Sequence, residues 1–157
     1  MKIRLIVIGK TDKKFLQEGI DLFLKRIPHY LPFEYQVIPD LKNTRKLSED
    51  QQKEKEGELL LAQMKPGDEL ILLDERGDEF KSTDFARFLE KRMLGGTKNL
   101  VFAIGGPYGF PEVVYQAAAG KISLSRMTFS HQLVRLIFSE QLYRALTILK
   151  GEPYHHE

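Results

Sequence analysis

Lys2-Ile3-Arg4-Leu5-Ile6-Val7-Ile8-Gly9 opens the chain, and the reading of this run decides the fold. Only Arg4 interrupts the apolar stretch from Ile3 to Ile8. An apolar-rich run of strand length marks a strand covered on both faces, the kind found in parallel sheets flanked by helices. The run is too short for a signal segment followed by a cleavage site.

Working outward, the same strand type recurs with helical patterns between. Asp12 can cap a helix running to about Ile27, stopped by Pro28. Phe33–Ile38 alternates and ends at Pro39, a second strand, and residues 40–47 form a polar, basic loop expected to be mobile. Ser48 and Gln51 make a capping box for a helix to about Met64. Glu69–Leu73 is a third strand, followed by the loop Glu75-Arg76-Gly77-Asp78. Ser82 or Thr83 opens a helix that Gly95-Gly96 ends. Leu100–Ile104 is a fourth strand, and Pro111 suits the first turn of a helix ending at Gly120. Ile122–Leu124 is a short fifth strand before a long helix from about Ser130 to Lys150. Strand–helix alternation of this kind predicts an α/β fold, a mostly parallel sheet with helices on both faces, as one domain over 1–157.

Composition narrows the function classes. The chain has 157 residues and no Cys, which excludes disulfides, thiolate-bound zinc, iron–sulfur clusters and thiol nucleophiles. No apolar run reaches membrane-span length, and a cytoplasmic protein is expected. The net charge of +2 says little, but its distribution says more. Residues 1–100 carry 37 charged side chains and residues 101–157 only 9, with three of the four His in that last part. So apolar a segment either fills the core or faces a partner subunit.

Ligands of open α/β sheets bind beyond the carboxyl ends of the strands, so the bends there are the candidates. Gly9-Lys10-Thr11 resembles the end of a phosphate-binding loop, but Arg4 stands where that loop needs its first Gly, and a plain strand-to-helix turn is the reading. Gly105-Gly106-Pro107-Tyr108-Gly109 after strand four makes a rigid wall poor in side chains. Ser123-Leu124-Ser125-Arg126-Met127-Thr128-Phe129-Ser130-His131 after strand five mixes hydroxyls with apolar groups, suited to an adenine ring. Leu72-Leu73-Asp74-Glu75-Arg76-Gly77 after strand three is the third wall. The last helix is apolar almost all round, so Arg135 and Arg144 are either paired inside or aimed into a cleft. The His residues lack ligand spacing and no acidic cluster joins them, so no metal is expected.

Taken together, the opening Lys2–Lys10, the Ile104-Gly105-Gly106-Pro107 bend, Leu124 through Arg135, Glu140-Gln141-Leu142-Tyr143-Arg144-Ala145 and the closing Pro153-Tyr154-His155 resemble the RlmH family across essentially the whole chain. The resemblance implies a SPOUT-class fold with a C-terminal trefoil knot. It implies a homodimer that uses S-adenosylmethionine to methylate N3 of a pseudouridine in helix 69 of 23S ribosomal RNA, in the assembled ribosome. By matching position, it implies cofactor contacts at Leu73, Gly105, Leu124, Ser125, Arg126, Met127, Thr128 and Phe129, with Gly106 and Pro107 shaping the pocket. Arg135, Tyr143, Arg144, Tyr154 and His155 become the candidate catalytic group, with one subunit's tail completing the other's site. His131 and His155 both stand open as proton carriers, and Lys42, Arg45 and Lys46 as phosphate contacts. A SPOUT enzyme acting on transfer RNA, a ribosome-binding factor without catalysis and a dimeric scaffold are the alternatives.

Overall fold

The computed structural model describes residues 1–156. Five strands form one all-parallel sheet: β1 (Lys2–Ile8), β2 (Phe33–Ile38), β3 (Asp68–Glu79), β4 (Asn99–Ile104) and β5 (Gly120–Ser123). Their order across the sheet is β2-β1-β4-β3-β5. The five α-helices are α1 (Lys14–Arg26), α2 (Glu49–Ala62), α3 (Ser82–Leu94), α4 (Glu112–Ala117) and α5 (Leu133–Leu149).

The strand period of two sorts the apolar residues into two cores. Ile3, Leu5 and Val7 of β1 join Leu100, Phe102 and Ile104 of β4 on one face. There α1, α3 and α5 cover them through Phe23, Phe85, Leu89, Phe138 and Leu142. The rings of Phe102 and Phe138 lie 4.8 Å apart, so the last helix is seated on the middle of the sheet. Ile6, Ile8, Val101, Ala103, Leu70 and Leu72 face the other way, under Leu60 of α2 and Val114 of α4. Arg4 is on this second face. It is buried, donates to Asp68 Oδ2 at 2.6 Å and also reaches the Gln63 carbonyl at 3.0 Å.

Boundaries differ from expectation where a side chain finds a partner the local pattern does not reveal. Asp12 does not cap α1: the N-cap is Lys13, and the Asp12 N–H donates instead to Gln132. α1 ends at Arg26, just before Pro28 as expected, and runs into a short 3-10 turn at Ile27–His29; residues 44–46 form another 3-10 turn in the basic segment. Pro111 is the N-cap of α4, which stops at Ala117 because Gly120 already belongs to β5. The Ser48–Gln51 capping box is present in both directions. The largest difference is β3. The Glu75–Asp78 stretch expected to be a loop is a bulge inside the strand: Leu73 and Asp78 both pair with Ile122, and residues 74–77 arch out between them. Gly77 permits this, because a Cβ there would stand 2.6 Å from the backbone of Ile122.

Gly57 docks α2 onto the segment after β4. A Cβ at this position would fall 2.4 Å from the Pro111 ring. Alanine favours a helix interior by up to about 1 kcal/mol over glycine, but overpacking against a rigid ring costs about 1–3 kcal/mol. Gly57→Ala is therefore expected to lower the urea midpoint, against its helix propensity. A midpoint at or above wild type would show that α2 sits looser on Pro111.

Candidate functional site

A cavity of about 960 Å³ opens at the carboxyl ends of β3, β4 and β5. The β3 bulge supplies Asp74, Glu75 and Arg76 to its lining. Asp74 accepts the Arg76 N–H at 2.8 Å and the Tyr115 hydroxyl. Thr128 donates to Glu75 at 2.8 Å, tying the bulge to the bend after β5. The bend after β4 folds on itself: the Gly109 N–H donates to the Gly106 carbonyl at 3.2 Å, and a Cβ on Gly105 would come within 3.2 Å of Gly109. After β5, Ser123 donates to the Ser125 carbonyl at 2.8 Å, and Ser125 Oγ accepts the Met127 N–H at 2.9 Å. Ser130 Oγ accepts the Leu133 N–H at 3.0 Å where α5 begins.

The lining leans acidic. Asp50, Glu54, Asp74, Glu75 and Glu112 face the space, against Lys53 and Arg76. Such a field favours a cationic ligand over a free phosphate. Burial, and then the Asp74 carboxylate that accepts its hydroxyl, pushes the Tyr115 phenol well above its ordinary range, so it stays protonated. Burial and the adjacent Arg135 charge hold His131 below the usual imidazole range, so a neutral ring stands on the cavity rim.

Seven of the eight expected cofactor positions meet on this cavity: Leu73, Gly105, Leu124, Ser125, Met127, Thr128 and Phe129. Arg126 is the exception. Its side chain is 89 % exposed and paired with Glu79 at 2.7 Å, so its charge is directed away from the lining.

The expected catalytic group divides in two. Arg135 is 0 % exposed and stands behind the cavity rather than in it. It donates to the carbonyls of Ile8 at 2.6 Å, Gly9 at 2.7 Å and His131 at 3.2 Å, and to Thr11 Oγ1 at 3.2 Å. Enclosed in this way it cannot touch an external phosphate, and its place in the structure is architectural. Tyr143, Arg144, Tyr154 and His155 gather near the other end of α5. Arg144 donates to Glu140 at 2.5 Å and 3.0 Å, and meets His155 Nδ1 at 3.1 Å. Its guanidinium lies 4.8 Å from the centre of the Tyr154 ring. Tyr154 donates to Glu140 at 3.1 Å and stands edge-on to Tyr143, centroids 4.7 Å apart. Tyr30 anchors the tail further by donating to Glu152 at 2.7 Å. Val134 lines the cavity, and Arg144 is ten residues further along the helix, about 15 Å by helical rise.

Tyr115 and Glu56 are absent from the candidates that the sequence offers: Tyr115 lines the cavity, and Glu56 packs against Gly106 of its wall. Tyr115 carried no signal. Glu56 hides in a charged helix that reads as solvated, and the adjacent Gly57 inside that helix was the clue to a close approach. Among the described residues there is no group of three potential metal ligands, and no helix is long and apolar enough to cross a membrane.

Residues 1–155 match the family described as "Predicted SPOUT methyltransferase". The chain is 63 % identical over 157 residues, the full length of both, to the Ribosomal RNA large subunit methyltransferase H of Parabacteroides distasonis. It is 59 % identical to that of Flavobacterium johnsoniae and 55 % to that of Porphyromonas gingivalis, again over 157 residues and the whole of each chain.

The Arg135 geometry makes its own prediction. Lysine keeps the charge but places all its donors on one nitrogen, so it cannot reach the four oxygens that the three guanidinium nitrogens meet here. Arg135→Lys is expected to cost about 3 kcal/mol in urea unfolding, since it leaves buried acceptors unpaired. A loss below about 0.5 kcal/mol, within the range of ordinary surface changes, would remove the architectural role.

Proposed function

The chain belongs to the SPOUT methyltransferase family, with the large-subunit ribosomal RNA methyltransferases as relatives along its whole length, and from that footing we propose its full activity. It transfers a methyl group from S-adenosylmethionine to N3 of a pseudouridine in helix 69 of 23S ribosomal RNA, within the assembled ribosome. It does so in the cytoplasm, as a homodimer of single-domain subunits, each with a C-terminal trefoil knot. The observation that carries this reading is the convergence of three bends, after β3, β4 and β5, on one cavity of about 960 Å³.

The residues present fit the cofactor. Leu124, Met127 and Phe129 offer an apolar wall for an adenine ring, and the Gly105–Gly106 bend lets a ligand approach the backbone closely. The acidic lining suits a sulfonium cation. When bound, the cofactor supplies a methyl group activated for in-line displacement, which needs no metal.

The chain's own residues align and neutralise. Gly106 and Pro107 shape the wall, while Thr128 and Glu75 fix the β5 bend to the β3 bulge. Neutral His131 on the rim is able to accept the N3 proton. Arg144, oriented by Glu140 and His155, is suited to stabilise the anionic ring that forms as the proton leaves. Tyr143 and Tyr154 offer faces for the base. Arg135 acts through position, holding the end of β1 and the start of α5.

In one chain Arg144 is about 15 Å along α5 from the cavity, so a second copy is needed to bring the two together. A face for that copy is available. Phe15 on α1 is 68 % exposed and Leu22, two turns on, is 46 % exposed; the neighbouring α5 exposes Leu133. The chain exposes 9257 Å², about 1,100 Å² more than a monomer of this mass should. Lys42, Arg45 and Lys46 are exposed on the segment after β2 and suit phosphate contacts.

Mass mapping of 23S ribosomal RNA from cells lacking the protein is expected to show one methyl group missing from a helix 69 pseudouridine, restored by the intact gene. An unchanged map overturns the assignment. Arg144→Ala, and separately deletion of residues 153–157, are each expected to lower the methylation rate at least tenfold without abolishing cofactor binding by calorimetry. Full rates in both variants would remove the tail and Arg144 from the site.

A further inference from the structure

Glu56 is in the second half of α2 and is 5 % exposed, although this helix otherwise offers its charges to solvent. Gln52, one turn earlier, donates to Oε2 at 3.4 Å, and Oε1 has no partner among the described residues. The carboxylate is pressed against the back of the cavity wall. A Cβ on Gly106 would stand 2.6 Å from Oε1 and 2.7 Å from Oε2. Any residue but glycine would displace the acid, so bend and carboxylate are matched. The next residue, Gly57, brings α2 close enough to Pro111 to hold that contact.

A buried acceptor left unused destabilises a fold and calls for a reason. Burial first, and Asp40 from the segment after β2 second, hold the Glu56 carboxyl above its ordinary range. Among the described residues no ion pair is made by Glu56, whose named neighbours are Gln52, Asp40 and the bare backbone of Gly106. On the far side of Gly106 is the ligand cavity. With no side chain on Gly106 to intervene, a charge on one side of the bend is felt on the other through a poorly screening medium.

We propose that Glu56 is a specificity-determining residue of this cavity, the counter-charge that favours a sulfonium ligand over its neutral thioether product. The inference rests on the cofactor reading given above. The donor carries a positive charge only until the methyl group leaves; a cation beyond Gly106 favours the ionised form of a carboxyl that burial otherwise disfavours, so substrate is held more tightly than product and the two exchange. Its unsatisfied oxygen in the free protein is the counterpart of that preference.

Calorimetric titration of wild type and Glu56→Gln with S-adenosylmethionine and S-adenosylhomocysteine tests this. Glu56→Gln is expected to bind S-adenosylmethionine roughly tenfold more weakly and S-adenosylhomocysteine as wild type does. Glu56→Asp, which keeps the charge, is expected to keep the preference. Glu56→Met gives the same reading as the amide should Glu56→Gln not fold. Equal weakening toward both ligands, or an unchanged ratio, overturns the proposal and leaves Glu56 as packing for the bend. Wild type that binds neither ligand overturns the cofactor reading and this inference together. Wild type that binds both, with the variants matching it, overturns this inference alone.

Discussion

The guanidinium of Arg135 is the contact on which the arrangement depends. Strand β1 ends at Ile8, and its last carbonyls would be buried without partners where the chain turns away at Gly9, a residue at φ +77. Arg135 reaches them from α5, across more than 120 residues of sequence. One planar cation thereby satisfies the end of the first strand, fixes the rotation of the last helix and sets the His131 backbone through its carbonyl. A buried charge is costly in apolar surroundings. Here carbonyl dipoles and the Thr11 hydroxyl surround it, and the helix can be apolar on its remaining faces.

From that fixed edge the cavity follows. The β3 bulge, the glycine bend after β4 and the hydroxyl-rich bend after β5 are each held by short local bonds and by one link between them, from Thr128 to Glu75. None of these bends needs a long side chain to define its path. The walls are backbone and small groups, and the longer polar groups, Asp74, Tyr115 and Arg76, sit on the rim where they can respond to what enters.

Much of this could be read from the sequence. The apolar runs at residues 2–8 and 100–104 gave their strands to within a residue, because a strand buried on both faces writes its environment directly into composition. The three bends were found by position alone. What escaped depended on tertiary partners. The β3 bulge was hidden because Glu75-Arg76-Gly77-Asp78 is also what a simple turn looks like, and only the return of Asp78 to Ile122 reveals the strand. Glu56 was hidden among exposed charges of the same helix. Arg135 was correctly read as too buried to be incidental, but whether it faced a ligand or a carbonyl lay outside what helical spacing encodes. The clustering of Arg144 with Tyr154 and His155 was implied by family resemblance, and the docking of the tail followed from one aromatic residue.

The strand order carries a lesson about biogenesis. Strand β1 is the first in the chain and lies inside the sheet, flanked by β2 on one side and β4 on the other, yet its end is not completed until Arg135 is made. At ordinary rates of translation, the interval from Gly9 to Arg135 is on the order of 6–25 s. The partners of β1, strands β2 and β4, are both made within that time, and only the end of the strand waits. Until Arg135 is made, the carbonyls that end β1 lack the guanidinium that later meets them, so the sheet pairs before its first strand is sealed.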